Sequence, residues 1–264
     1  MSSTLYDKCG AVLDVHKYLN ETYCGSTAVE FKHITDEDER LWCHETFERI
    51  AWEPVSSQEK IKALQLLVRT ELMESFMQKK FATHKRYSSE GSEAITVALN
   101  TLLAEASDKS QAKRLDTAIV GMPHRGRLAT LVVLNEYPFR NLLYKASGKN
   151  DVPAELVDRI DDIPTHIAIS NSKRFTSGRE GSDPHKVTMT MIHNPSHLES
   201  QNAISMGKTR AKIDDFGGDD RTVLNIQAHG DSAFPGQGAS YEALALSKLP
   251  NFSCGGTIHI ITNN

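Results

Sequence analysis

No Cys-x-x-Cys pair occurs in the 264 residues, and the four cysteines, Cys9, Cys24, Cys43 and Cys254, follow no zinc-ligand spacing. That argues against a structural zinc site and leaves reduced thiols in a reducing compartment as the expectation. No apolar run approaches the roughly 20 residues that a membrane span needs. Charge of one sign is also missing. Thirty Lys and Arg against 34 Asp and Glu give a net charge of −4 with the signs interspersed, so no basic stripe offers itself to nucleic acid or an anionic membrane. The amino terminus, Met1-Ser2-Ser3-Thr4-Leu5-Tyr6-Asp7-Lys8, has neither the apolar core of a secretory signal nor the arginines of an organellar presequence. A phosphate-loop lysine motif is absent, and Gly236-Gln237-Gly238-Ala239-Ser240-Tyr241 lacks the third glycine of the dinucleotide fingerprint.

What is present is a chain of 39% hydrophobic and 24% charged residues, long enough to bury a full core in one large or two smaller domains. The first part reads as helical. Leu5, Cys9, Val12, Leu13, His16 and Leu19 fall at helical spacing. Thr35-Asp36-Glu37-Asp38 has the form of a capping box ahead of Leu41, Trp42, Phe47 and Ile50. Ser56-Ser57-Gln58-Glu59 opens a longer helix through Ile61, Leu64, Leu67, Leu72 and Phe76. His16, His33, His44 and His84 have no partner ligand at usable spacing and read as surface or packing residues.

A polar junction, Lys85-Arg86-Tyr87-Ser88-Ser89-Glu90-Gly91, divides a helical region, 1–85, from an α/β domain, 86–264. Beyond it, helix-like and strand-like segments alternate. Thr117 to Gly121 reads as a buried strand, Arg127 to Glu136 and Asn141 to Ala146 as helices, Lys186 to Ile192 as a strand, and Ala203 to Ile213 as a helix. Val223 to Ala228 and Ile258 to Thr262 are the last two strands. This alternation predicts an α/β fold, a parallel sheet with helices on both faces. Residues 147–185 read as an unusually long polar loop around Ile163-Pro164-Thr165-His166-Ile167.

Polar residues gather at the strand ends: Met122-Pro123-His124-Arg125-Gly126-Arg127, then His193-Asn194-Pro195-Ser196-His197, then His229-Gly230-Asp231. In a parallel sheet these open on one edge. Asp231 and Asn264 stand 33 positions apart at the ends of two strands joined by one helix, so they can meet in the same crevice. A carboxylate and an amide oxygen suit magnesium, which is usually held by one or two protein oxygens plus substrate phosphates. Arg125 and Arg127 offer planar donors for phosphate or carboxylate, although an arginine at a helix start is often structural. His124 and, less strongly, His166 suit hydrogen bonding and proton transfer to a carbonyl substrate, while His197 and His229 serve equally well as braces of their turns.

At these residues the chain resembles the thiamine-diphosphate-dependent dehydrogenase component of the 2-oxoglutarate dehydrogenase complex and its 2-oxoadipate relative. The family signature, a Gly-Asp pair followed after about thirty residues by Asn-Asn, is matched by Gly230-Asp231 and Asn263-Asn264. Gly121 to Leu128, Asn194 to Glu199, Gly207-Lys208-Thr209 and Gly236-Gln237-Gly238 resemble the same branch, as do Tyr23-Cys24-Gly25 and Glu30 to Ile34. Pro164-Thr165-His166-Ile167, Leu249-Pro250-Asn251-Phe252 and Gly255-Gly256 look closer to the 2-oxoadipate relative.

The resemblance implies a thiamine-diphosphate-binding fold and decarboxylation of a 2-oxo acid, 2-oxoglutarate or 2-oxoadipate, with transfer of the acyl group to lipoamide. Thiamine diphosphate and Mg2+ would be the cofactors, with Asp231 and Asn264 as magnesium ligands and Arg125 against the cofactor. His124 and His166 would face the substrate. It further implies a homodimer in the full-length form, acyltransferase and dihydrolipoyl dehydrogenase partners, and a place in the mitochondrial matrix if the source is eukaryotic or the cytoplasm if bacterial. In the family, a carbonyl beyond Asn-Asn and a second domain with an activating glutamate complete the site. The expectation is therefore a truncated chain, inactive alone. The alternatives are a non-catalytic module that pairs with a full-length subunit and a small magnesium-dependent phosphohydrolase, which explains Asp231 but neither the histidine motifs nor Asn264.

Overall fold

The structure, a computed structural model, describes residues 12–84, 87–149, 155, 163–194 and 197–263. Asn264, and with it half of the expected metal-ligand pair, lies outside the described residues, as do Lys85 and Arg86 of the polar junction and Pro195-Ser196 of the strand-end motif. The chain forms two compact units, residues 1–55 and 56–264. The polar junction near residue 85 lies inside the second unit.

The first unit holds α1 (Val12–Tyr23) and α2 (Glu37–Ala51). The start of α2 is capped by Asp36, whose Oδ1 accepts from the Glu39 amide at 2.9 Å, so the cap sits one residue later than the Thr35 reading. Tyr18 stacks on Trp52 at 5.5 Å, and the Tyr23 hydroxyl donates to the buried Glu48 at 2.7 Å. Leu41, Trp42 and Ile50, whose spacing marked the helix, are exposed; the period was right but its apolar face is not core.

The second unit opens with α3 (Ser57–Lys80), where Ser56 and Glu59 form the expected capping box. On α3 it is Leu66, Met73 and Met77 that are buried, while Ile61, Leu64, Leu72 and Phe76 are exposed. Then follow α4 (Ala94–Ala106), β1 (Thr117–Gly121), a short turn α5 (Arg127–Ala129) running into a π-helical turn over Thr130–Leu134, and α6 (Phe139–Ala146). After β2 (Ile169–Arg174) and β3 (Lys186–Met191) come α7 (Ser200–Asp215), β4 (Val223–Gly230), the short α8 (Ala233–Gly236), α9 (Gly238–Leu246) and β5 (Thr257–Thr262).

The five strands form one sheet in the order β2-β3-β1-β4-β5. Strands β3, β1, β4 and β5 are parallel and β2 is antiparallel to β3. The parallel expectation thus holds except at one edge. Strand β2 falls within the stretch read as a long loop, because Ile169-Ser170-Asn171-Ser172-Lys173-Arg174 carries the polar, half-exposed pattern of an edge strand. Only residues 175–185 separate it from β3, too short a connection for a parallel crossover, so β2 pairs antiparallel. The core lies on the sheet around Ala118, Val120, Met189, Met191 and Ile226, packed by Leu99, Leu103, Leu131 and Leu134.

Strand β4 alternates. Leu224, Ile226 and Ala228 face the apolar core, whereas Asn225, Gln227 and His229 are also buried, on the other face. Helix α7 engages part of that polar face, although Gln227 Oε1 and Asn225 Oδ1 have no partner among the described residues. Gln227 donates to the Asn202 carbonyl at 3.0 Å and to Ser205 at 2.9 Å, and Gln201 donates to the Ala228 carbonyl at 3.1 Å.

Candidate functional site

Because the chain leaves β1 toward β3 and leaves β4 toward β5, the loops after these neighbouring strands diverge and open a crevice at their carboxyl ends. A cavity of about 280 Å³ occupies that place, lined among others by Tyr87, His124, Arg125, Leu198, Asp231 and Thr262. The structure thus brings together three sequence-predicted residues, His124, Arg125 and Asp231. His166 is not among the lining residues. It ends a short 3-10 turn, Pro164–His166, and its carbonyl accepts from His193 Nδ1 at 3.1 Å, beside the end of β3.

Each wall has a local cause. On the β1 side, the left-handed Gly126, at φ 71°, turns the chain back into the α5 helix and leaves His124 and Arg125 on the crevice. The His124 ring is held on two sides: Tyr87 stacks on it at 4.4 Å, and the amide nitrogen of the buried Asn194 donates to its Nδ1 at 2.9 Å. With Nδ1 accepting, the neutral ring carries its proton on Nε2 and is a donor there. Tyr87 is itself at positive φ, 45°, in a loop pinned by Glu74, which accepts from the Ser89 amide at 2.8 Å and its hydroxyl at 2.9 Å. Arg125 donates to the Glu90 carbonyl of the same loop at 2.9 Å.

Arg127 is not a ligand donor. Fully buried at 0% exposure, it donates to the carbonyls of Met122 at 3.0 Å, Ile167 at 2.7 Å and Ile192 at 2.6 Å. It thereby fastens the end of β1, the segment after His166 and the end of β3 to one guanidinium. Burial pulls its basicity down to about 10, still charged at neutral pH.

On the β4 side, Gly230 and Asp231 follow the strand directly. No hydrogen bond or ion pair joins the half-buried Asp231 to another described residue, and nothing lies within 4 Å of where a Gly230 side chain would start. A free carboxylate beside bare backbone and a nearby arginine fits one wall of a magnesium-diphosphate site. Among the described residues no cluster of three or more His, Cys, Asp or Glu could hold a metal by itself.

Behind this wall lies a group that the spacing gave no means of finding. Glu199, at φ 68° and buried, accepts through Oε2 from His229 Nδ1 at 2.6 Å, Asn202 at 2.8 Å and Ser240 at 3.2 Å. His229 Nε2 in turn meets His259 Nδ1 at 2.9 Å, with the rings stacked at 5.1 Å. Burial pushes the Glu199 carboxyl up, but these hydrogen bonds outweigh it and hold it below its ordinary value, as a carboxylate. The one available signal was the polar alternation of β4.

His259 is held below the ordinary histidine range, first by burial and then by His229, with Glu199 opposing. The fold therefore favours its neutral form. Its contribution to stability is complete above about pH 6.5 and is lost as pH falls from there through the lowered value. Urea midpoints are expected to drop across that window, and His259→Phe is expected to flatten that part of the profile.

Fold and crevice together define an open-sheet α/β protein with a cavity at the carboxyl ends of its central strands. The family model described as "Dehydrogenase E1 component" matches residues 65–264. The chain is 38% identical over 253 residues to the "Probable 2-oxoadipate dehydrogenase complex component E1 homolog" of Dictyostelium discoideum, covering 95% of this chain and 27% of that protein. It is 37% identical over 262 residues to the Caenorhabditis elegans protein of the same description, with the same coverage. Over 261 residues it is 33% identical to the "2-oxoadipate dehydrogenase complex component E1" of Homo sapiens, again 95% and 27%. The chain belongs to the dehydrogenase E1 component family, and it spans about a quarter of the length of these curated relatives. The family is generally thiamine-diphosphate dependent. Among the described residues no helix is long and apolar enough to cross a membrane.

Proposed function

We propose that this chain supplies the diphosphate-binding part of a 2-oxo acid dehydrogenase component, acting on 2-oxoadipate or 2-oxoglutarate. The observation that carries the reading is the convergence of His124, Arg125 and Asp231, which has no partner among the described residues, on one cavity at the carboxyl ends of β1 and β4. The relatives' descriptions favour 2-oxoadipate within that class.

Asp231 and Asn264 would hold Mg2+ against the diphosphate, with Arg125 beside it. When bound, thiamine diphosphate would supply the nucleophilic carbon and the electron sink for decarboxylation. The protein's own contribution is orientation and proton placement. His124, donating from Nε2, would hydrogen-bond a substrate oxygen as negative charge develops on it. His166 would reach the substrate from the β3 side. The acyl group would pass to lipoamide on an acyltransferase partner, with dihydrolipoyl dehydrogenase completing the complex, in a homodimeric enzyme of the mitochondrial matrix in a eukaryote or the cytoplasm in a bacterium. A second reading, a non-catalytic module paired with a full-length subunit, is favoured by the exposed Ile61, Leu64 and Leu72 along α3.

Titrating Mg2+ and thiamine diphosphate into the 15N-labelled chain tests the main reading. Amide resonances of Gly230, Asp231 and Ser232 are expected to move together, with an affinity weaker than micromolar. Absence of any change at these residues at saturating cofactor overturns it.

A further inference from the structure

Two buried polar residues at the ends of one corner reach the two halves of the crevice. Asn194 and Glu199 are 2% exposed each, and they flank the turn between β3 and α7. Asn194 approaches His124 as a donor, so that ring accepts at Nδ1. Glu199 approaches His229 as an acceptor, so that ring must donate from Nδ1, and its Nε2 is left to accept from His259 Nδ1. His124 and the His229–His259 pair are thereby driven into opposite tautomers by residues five positions apart.

The arrangement has a consequence for Asp231. His229 is only two residues away from it and would be its natural partner, yet both ring nitrogens of His229 are engaged by Glu199 and His259. Among the described residues Asp231 has no ion-pair partner. On the opposite wall the same corner leaves His124 Nε2 as a proton donor. The crevice thus has a carboxylate with no partner among the described residues on one side and a ring protonated at Nε2 on the other, the polarity that an anionic ligand with a bound cation requires.

We propose that Asn194 and Glu199 are positioning residues that set these opposite histidine tautomers, and so assign the donor wall and the cation-binding wall of the crevice. The inference deepens the functional reading above and rests on it for the identity of the ligand, but the tautomers themselves are observable without any ligand.

Long-range 1H–15N spectra of the histidine rings in the whole chain, recorded above the ordinary histidine titration range, read them directly. The expected result is Nε2–H for His124 and Nδ1–H for His229 and His259. In Asn194→Asp the carboxylate can only accept, so His124 is expected to exchange the shifts of its two ring nitrogens and become Nδ1–H, while His229 and His259 stay as they are. In Glu199→Gln the side-chain oxygen still accepts and the tautomers persist. In Glu199→Ala the preference of His259 for Nδ1–H is lost. Should Glu199→Ala fail to fold, the isosteric Asn194→Asp exchange carries the test. Wild-type rings in the reverse tautomers, or a His124 unchanged by Asn194→Asp, overturn the proposal. If instead the tautomers are as stated but Mg2+ and thiamine diphosphate leave Asp231 unmoved, the functional reading fails and the positioning roles stand.

Discussion

Arg127→Met is expected to destabilise the sheet-bearing unit by on the order of 4 kcal/mol. The methionine fills much of the arginine's volume, so the loss does not come from a large cavity. It comes from three carbonyls that lose their only described side-chain donor, those of Met122 and Ile192 in buried positions and that of Ile167 in a half-buried one. An acceptor stranded in this way costs about 1–3 kcal/mol, and the desolvation of the guanidinium itself, which burial already makes unfavourable, is recovered in part. Urea unfolding monitored by circular dichroism measures the difference. A loss below about 1 kcal/mol would show that the strand ends hold together without this residue. Arg127→Lys is expected to recover little, because one ammonium cannot reach three carbonyls in the plane that the guanidinium spans.

Asp231→Asn is expected to have the opposite profile. Its carboxylate has no described partner, so stability should change by no more than about 0.5 kcal/mol. Binding should suffer severely. Under the proposed function Asp231 supplies the formal negative charge on the protein's side of the magnesium site, and an amide in its place weakens a hard-cation site by about 100-fold, on the order of 3 kcal/mol. The cofactor-induced shifts at Gly230, Asp231 and Ser232 should therefore vanish in the variant while its amide spectrum otherwise overlays the wild type. Undiminished binding by Asp231→Asn would remove the residue from the metal site.

The contrast between these two variants reflects what each side chain is near. Arg125 and Arg127 stand two positions apart at the start of the same helix and look equivalent as donors for an anion. The first lines the cavity; the second disappears into the core as a clamp on three backbone segments. Spacing along a chain says which residues share a strand end, but not which side of the turn faces solvent. His229 divides in the same manner from Asp231: the strand carries the His229 ring on its polar buried face, where Glu199 takes it, whereas Asp231 lies just past the end of β4 and lines the cavity.

By itself the sequence determined the α/β alternation, the positions of the four parallel strands and the gathering of His124, Arg125 and Asp231 at strand ends. These are local properties: apolar runs of strand length, turn residues that close them, and the polarity of a parallel sheet, whose carboxyl ends all face one way. It also carried the family, through runs such as Gly121 to Leu128 and Asn194 to Glu199. Only the tertiary structure decided that β2 is an antiparallel edge strand, that Arg127 braces rather than binds, that the apolar stripe on α3 is exposed, and that Asn194 and Glu199 address histidines 70 and 30 positions away. The physical reason is that these outcomes are set by hydrogen bonds and burial between segments distant in sequence. A polar side chain's role depends on the partner that folding brings to it, and no period or spacing encodes that partner.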